Sequence, residues 1–304
     1  MRFRKYQALG NDYLVLEARE VGGRLTPALV ERLCDRHFGV GADGVLLCGA
    51  GPARFSLRIF NPDGSEAEKS GNGLRILARY LWDQERVPAE EPFFVDTAGG
   101  EVCCEVSPGG HSVRVQMGRV SFRSDAIPVT GPDREVLRER FELSDRSIEA
   151  SAATIGNPHC VAILPGVSPA LARELGPRLE RHPSFPERAN VQLVEVLGQH
   201  SIRIEVWERG AGYTLASGSS SCAAAAVCVR LGLCESPIAV RMPGGSLEVE
   251  VSRDYDVSLR GPAEKVAEGT LSRGFLGAAQ SSSRSSSSRP PGGRRGRSPG
   301  TSKA

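Results

Sequence analysis

The chain has 304 residues, of which 40% are hydrophobic and 24% are charged, and its formal net charge is +2 at pH 7. This length predicts about two domains with a sizeable core and excludes a lone small binding module. No apolar run approaches the roughly 18 residues of a membrane helix and no secretory signal is recognised at the start, so we exclude a membrane-spanning protein and expect a cytoplasmic one.

Hydrophobic spacing predicts a mixed α/β fold. A helical spacing covers Gly73–Trp82, and the alanine-rich segment Ser221–Cys234 favours a second helix, buried within a sheet. Each half of the chain then contains strands, a glycine-broken loop and one helix. Alternating apolar residues between turn signals predict strands at Phe55–Phe60, Phe93–Val95, Val102–Val106, Val113–Met117, Ile202–Trp207, Ile238–Met242 and Leu247–Val251.

The two halves repeat one another. Gly10-Asn11 matches Gly156-Asn157, and Ala42-Asp43 matches Ala189-Asn190. A third match joins Ser70-Gly71 to Ser217-Gly218, and all three lie at a spacing of 146 or 147 residues. Three ordered matches at nearly one spacing favour an internal duplication.

The duplication predicts two similar domains that meet near residue 118. We expect one domain at 1–118 and the other at 119–276, with a last strand that can return to the first domain. Six of the 38 basic residues and none of the 36 acidic ones lie in 280–304, so the preceding 279 residues carry a net charge of −4. The Ser, Arg, Pro and Gly residues of 277–304 offer little to bury, and we expect a disordered tail there rather than a nucleic-acid-binding element.

Both halves also place Ser-Gly at the start of their helix, as Ser70-Gly71 and Ser217-Gly218. Free backbone N–H groups and the positive end of the helix dipole make such a start suitable for a carboxylate. A single Ser-Gly is usually only an N-cap, but two facing helix starts can grip one small substrate between domains.

Six ordered motifs make the chain resemble the diaminopimelate epimerase family from Phe3 to about Ala267. They read FRKYQALGNDYLVLE, CDRHFGVGADGVLL, RIFNPDGSEAEKSGNGLR, GNPHCV, RANVQLVEV and VWERGAGYTLASGS. The resemblance implies two pseudo-symmetric domains, each a curved mixed sheet or barrel around a central helix. It also implies a cofactor-free enzyme without a metal, in which one cysteine of each domain acts as acid or base to interconvert LL- and meso-diaminopimelate for lysine and peptidoglycan synthesis.

The resemblance assigns site residues at the matching positions. His159 and Glu208 correspond to residues that tune the two acid–base groups, and Glu208 with Arg209 to the pair that reads the distal end of the substrate. The catalytic cysteine positions are occupied here by Ser70 and Ser217. The expected substrate-binding residues are Asn11, Asn61, Gly71, Asn72, Asn157, Asn190, Glu208, Arg209, Gly218 and Ser219.

Serine at these two positions leaves three interpretations of the function open. A hydroxyl is far less acidic than a thiol, so the chain is either an epimerase that uses serines, a related racemase or dehydratase, or a silent paralogue that binds an amino acid as a sensor or partner. Tyr213 replaces a usual glutamate of the family, and Gly44 lies where some members have a polar substrate contact. Cys222 falls inside the predicted helix and offers no replacement thiol.

Composition and the resemblance also indicate which metals, ligands and partners to expect. The eight cysteines form no CxxC pair and do not cluster with the five histidines, which favours buried thiols over a zinc site or a disulfide framework. We expect an amino acid as the substrate and neither a membrane nor a nucleic acid as a partner. The oligomeric state stays open, with a homodimer as the option that the family suggests.

Overall fold

The computed structural model describes residues 1–23, 25–50 and 54–276. The predicted tail at 277–304 therefore lies outside the described residues. The elements of the first half are β1 (Arg2–Ala8), β2 (Asn11–Glu17), α1 (Ala18–Val21), α2 (Pro27–Cys34), β3 (Val45–Ala50), β4 (Phe55–Phe60), β5 (Glu66–Ala67), α3 (Gly71–Asp83), β6 (Phe93–Thr97), β7 (Gly100–Val106), a 3₁₀ turn (Pro108–Gly110) and β8 (Val113–Arg119).

The second half repeats the main part of this order after a connecting segment and has one additional strand at each end. Its elements are β9 (Glu139–Glu142), β10 (Ser147–Thr154), β11 (Pro158–Ile163), α4 (Pro169–Glu180), β12 (Asn190–Gly198), β13 (Ser201–Glu208), β14 (Gly212–Thr214), α5 (Gly218–Arg230), β15 (Ile238–Met242), β16 (Gly245–Val251), β17 (Asp256–Gly261) and β18 (Glu264–Thr270).

Strand pairing follows the same pattern in both halves. Strand β2 runs parallel to β3 as β11 runs parallel to β12, and β4 runs parallel to β6 as β13 runs parallel to β15. Helix α3 contacts β1, β2, β3, β7 and β8, and helix α5 contacts β10–β13 and β15–β17. Each helix is thus enclosed by the sheet of its own half, and the predicted mixed α/β fold with curved sheets around central helices is confirmed.

One outer strand crosses from the second half to the first. Strand β9 pairs with β10 of its own half, whereas β18 follows the second half in the chain but pairs with β1 of the first. Strands β8 and β17 also pair antiparallel to each other. The sheet is therefore continuous across the junction of the halves.

The sequence prediction of one helix per half was wrong, because each half has a further helix, α2 or α4, and the first half also has the short α1. Helices α2 and α4 begin with Thr26-Pro27 and Ser168-Pro169, and both hydroxyls accept a hydrogen bond from the backbone three residues later. A hydroxyl N-cap followed by proline is a helix-start signal that we did not use. Helix α5 ends at Arg230, earlier than predicted, because Gly232 has a positive φ of 69°.

Removing β18 should destabilise the protein. A chain that ends at Ala263 leaves the β1 edge unpaired and loses the buried Leu271. Losing this row of backbone hydrogen bonds should lower the melting temperature by at least about 5 °C. Calorimetry tests this, with a chain that ends at Ala279 as the control. Equal melting temperatures of the two truncated chains would contradict the structural role of β18.

Candidate functional site

The starts of α3 and α5 meet at the junction of the halves. A Cβ placed on Gly71 would lie 3.3 Å from the Gly218 Cα, and a Cβ on Gly218 would lie 3.2 Å from the Gly71 Cα. Glycine at both positions allows this close approach of the two backbones. Two positive helix ends therefore converge on one place, as the duplicated Ser-Gly pairs suggest.

Ser70 and Ser217 are the N-cap residues of these two helices. The Ser70 Oγ accepts a hydrogen bond from the Gly73 N–H at 3.1 Å, whereas the Ser217 side chain makes no capping bond and is buried. The backbone conformations match closely, with φ near −143° at Ser70 and −145° at Ser217. The two hydroxyls thus occupy equivalent places, but only one of them is engaged by its own helix.

The amides of Asn11 and Asn72 are fixed by a polar network. The Asn11 amide donates to Asp43 Oδ2 at 3.0 Å and accepts from the Asn72 amide at 3.0 Å. Asp43 in turn accepts from Arg36 at 2.7 Å, and the Asn72 carbonyl accepts from Arg75 at 2.9 Å. The orientation of both asparagines is therefore set by the protein.

Tyr13 joins the site although the sequence analysis did not select it. Its ring packs on Gly44, where a Cβ would lie 2.6 Å from Tyr13 Cε1. Burial raises the pKa of Tyr13 to about 12, a rise that interaction with the Ser70 hydroxyl partly opposes and the nearby Glu208 carboxylate increases. The 146-residue repeat pairs Tyr13 with His159, and this was the signal that could have identified it.

His159 lies inside the second half. Its Nε2 is 3.0 Å from Asn157 Oδ1, and the ring is fully buried. Burial lowers the pKa of His159 to about 3, with Gln192 acting in the opposite direction and Arg209 adding to the decrease. The ring is therefore neutral at physiological pH and a weak base, which limits its ability to activate a hydroxyl.

We expect His159 to remain neutral at pH 5, where an ordinary histidine is mostly protonated. Below the ordinary pKa of about 6.5 the unfolded chain takes up a proton that the folded chain refuses until about pH 3, so folding stability should fall in this window. Imidazole ¹⁵N shifts measured from pH 7 to pH 4 test this, with free histidine in the same buffer as a reference signal. A His159 resonance that titrates near pH 6 would show that the ring is solvated.

Glu208 is the last residue of strand β13, and Arg209 follows it. Burial raises the pKa of Glu208, and a hydrogen bond with the Ser217 side chain partly offsets this effect. The Arg209 N–H donates to Asn190 Oδ1 at 3.0 Å, and its guanidinium donates to the Glu187 carbonyl. The Asn190 amide donates to the Pro158 carbonyl at 3.1 Å. Asn157 thus contacts His159, whose strand position pairs with Asn190, and Asn190 contacts Arg209, while Glu208 contacts Ser217.

Two positions from the sequence analysis, Asn61 and Tyr213, are hydrogen-bonded to neighbouring side chains, whereas Ser219 lies at the start of α5. The Asn61 amide donates to Ser65 Oγ within its own turn, and Ser219 is partly buried in the first turn of α5. Tyr213 donates to Glu205 Oε2 at 2.7 Å and stacks under the Arg173 guanidinium. Its hydroxyl is therefore occupied by a neighbour on β13.

The thiols of the chain lie away from the two N-cap positions. Cys222 is buried within α5, as the sequence analysis expected, and burial raises its pKa to about 12. Seven of the eight cysteines are buried, and Cys103 is partly buried on strand β7. None of the eight cysteines, all within the described ranges, occupies the start of α3 or α5.

Comparison with known proteins gives consistent matches over most of the chain. The family model "Diaminopimelate epimerase" matches residues 3–123 and 151–266. Diaminopimelate epimerase 2 of Nostoc sp. is 53% identical over 274 residues, which cover 90% of this chain and 96% of the relative. Diaminopimelate epimerase of a Cyanothece sp. is 41% identical and covers 89% of this chain and 99% of the relative.

Solved structures share the fold at low identity. A predicted epimerase from Pseudomonas aeruginosa has a TM-score of 0.62 at 20% identity and covers 89% of this chain and 98% of its own. A probable proline racemase from Agrobacterium radiobacter has a TM-score of 0.65 at 16% identity, over 90% and 93% of the two chains. These likenesses extend to the architecture alone. Among the described residues, no helix of the chain is both long and apolar enough to span a membrane.

Proposed function

Because the chain belongs to the diaminopimelate epimerase family, we propose that it interconverts LL- and meso-2,6-diaminopimelate by proton transfer at the α-carbon. Inversion of a stereocentre needs a proton acceptor on one face and a proton donor on the other. The observation that best supports this proposal is the meeting of two equivalent helix starts, each with a hydroxyl at its N-cap.

The finer assignment concerns the two serines. We propose that Ser70 and Ser217 stand at the acid–base cysteine positions of the family. Ser70 interacts with Tyr13 and Ser217 with Glu208, so each hydroxyl has a titratable neighbour. A serine is a weak base without such a neighbour. The Glu208 carboxylate can accept the Ser217 proton, and Tyr13, which its raised pKa keeps protonated, can supply a proton to Ser70.

In this mechanism the reacting carboxylate binds the free N–H groups of Gly71, Asn72, Gly218 and Ser219. Positive helix ends stabilise the negative charge that the carboxylate gains as the α-proton leaves. Asn11, Asn61, Asn157 and Asn190 orient the substrate, and Glu208 with Arg209 reads its distal amino acid end. As the Ser217 oxygen removes the α-proton, its own proton passes to the Glu208 carboxylate. The Ser70 hydroxyl donates its proton to the opposite face and takes a proton from the Tyr13 hydroxyl, and the reverse reaction runs through the same groups in the opposite direction.

The test is incubation with LL-diaminopimelate in deuterium oxide, with α-deuterium incorporation and stereochemistry followed together. An epimerase yields deuterated meso product. Exchange with retained configuration would indicate the one-sided proton abstraction of a related racemase or dehydratase.

A second function, an amino-acid-binding protein without turnover, is favoured by one observation. The Ser70 Oγ already accepts the Gly73 N–H, and a hydroxyl is far less acidic than a thiol. Such a protein would bind diaminopimelate in titration calorimetry and show no α-hydrogen exchange. Absence of binding at millimolar ligand would reject both functions.

The proposed activity also indicates the pathway and the location of the protein. An epimerase of this family serves lysine and peptidoglycan synthesis, and we infer a cytoplasmic location and a small-molecule amino acid substrate on that basis. A homodimer stays a hypothesis that sedimentation equilibrium would test.

A further inference from the structure

Arg75 is the largest fully buried side chain of the described residues, with no solvent exposure. It lies one turn into α3, and its side chain runs back toward the start of the helix, as helical side chains do. Its guanidinium donates to Asn72 Oδ1 at 2.9 Å, to the Gly71 carbonyl at 3.3 Å and to the Pro262 carbonyl at 3.3 Å. The positive charge therefore lies directly behind the helix start.

Neutral groups make all of these hydrogen bonds. Of the described acidic side chains, none forms an ion pair with Arg75 within 4 Å, whereas Arg79 on the same helix pairs with Asp83 at 2.8 Å. Burial lowers the pKa of Arg75 to about 10, yet the group stays charged at neutral pH. A buried charge without a counter-ion is costly, and proteins seldom retain one without a use.

A second cation adds to the positive charge at this junction. Lys69 precedes the Ser70 cap, donates to the Met117 carbonyl and is likewise without an ion-pair partner within 4 Å in the described ranges. Met117 lies at the contact of the two helix starts, because a Cβ placed on Gly71 would be 3.4 Å from its Cε. Two acids of the site have other partners, because Asp43 is paired with Arg36 and Glu208 interacts with the Ser217 side chain.

We propose that Arg75 is a positioning residue whose buried charge supplies the counter-ion for the reacting carboxylate at the helix starts, through Asn72 and the Gly71 peptide. This inference rests on the proposed function for the identity of the ligand, but the charge itself can be measured without any ligand. Proton abstraction increases the negative charge on the carboxylate, so a fixed cation behind it stabilises the transition state more than the bound substrate.

The test uses a thiol introduced by Ser70→Cys as a probe of the local potential. Its pKa is read from the pH dependence of alkylation in the Ser70→Cys chain and in the same chain with Arg75→Gln or Arg75→Met. Removing the buried Arg75 charge should raise the thiol pKa by at least about 1 unit, and Arg75→Lys should largely preserve the thiol pKa. Removing an unpaired buried charge with an apolar residue is not expected to unfold the protein, which is why Arg75→Met is included.

Arg79→Gln is the matched control. Arg79 lies one turn further along α3 and also donates to two backbone carbonyls, but its charge is neutralised by Asp83. We expect its loss to leave the thiol pKa unchanged, and we expect Arg75→Gln in the chain with Ser70 to weaken diaminopimelate binding at least about tenfold.

The outcomes are separable. A thiol pKa that does not move with Arg75, or that moves equally with Arg79, overturns the inference whether or not the ligand binds. A rise with Arg75 together with no diaminopimelate binding by the unsubstituted chain supports the charge at the site and contradicts the proposed function instead.

Discussion

Replacing both Ser70 and Ser217 with cysteine should raise the epimerisation rate by about a hundredfold or more. A thiol has an ordinary pKa near 8.5, and helix starts lower it toward the operating pH, whereas a hydroxyl supplies almost no alkoxide there. The exchange of oxygen for sulfur is nearly isosteric, so the fold should be unchanged. The measurement is the rate of LL to meso conversion under reducing conditions.

Single variants and a thiol control complete this experiment. Ser70→Cys and Ser217→Cys alone should gain less than the double variant, because inversion needs both faces. Adding Cys222→Ala to the double variant should not change the rate, since that thiol is buried and its pKa is raised. Activity of the unsubstituted chain equal to that of the double variant would show that the hydroxyls are already activated, with Tyr13 and Glu208 as the candidates.

Gly44→Ala should destabilise the protein by about 1 to 3 kcal/mol. The added Cβ would lie 2.5 Å from the Phe60 carbonyl oxygen and 2.6 Å from Tyr13 Cε1, so either the strand or the ring must move. Displacing the ring also removes the Tyr13 hydroxyl from Ser70. We expect a lower midpoint in urea unfolding and weaker ligand binding.

Gly166→Ala is the control for this substitution. A Cβ there has no neighbour within 4 Å, and its φ is not in the left-handed region. Its midpoint should stay close to that of the unsubstituted chain. If Gly44→Ala has the same midpoint as Gly166→Ala, the packing of Tyr13 against Gly44 is looser than the structure indicates.

Much of the fold follows from local sequence patterns. The predicted strands at Phe55–Phe60 and Ile238–Met242 have the observed bounds, and the helix predicted at Gly73–Trp82 lies within α3. The spacing of hydrophobic residues and the turn-forming residues suffice to predict such elements, because both act over a few residues. The repeat was also visible, since the landmark residues keep one spacing.

Long-range pairing was not accessible in the same way. The sequence analysis allowed a last strand to return to the first domain, but the register of β18 against β1 depends on which sheet edge that strand reaches, and no local pattern specifies it. The unpaired charge of Arg75 is invisible in the sequence, because it depends on the absence of carboxylates from distant segments. Tyr13 was missed since its role depends on the space that Gly44 leaves. The site residues themselves remain predictions that the variants above address.

The pairing of β18 with the first half affects how the protein responds to mechanical force. It lies antiparallel to β1, with Arg2 opposite Thr270 and the Leu271 N–H bonded to the Met1 carbonyl, so both ends of the paired strands are at one edge of the sheet. A force applied between these ends acts across the strands and breaks their hydrogen bonds one after another, as in opening a zipper. We therefore expect β18 to detach first under tension. Helices α3 and α5 stay enclosed by their sheets until β18 has detached.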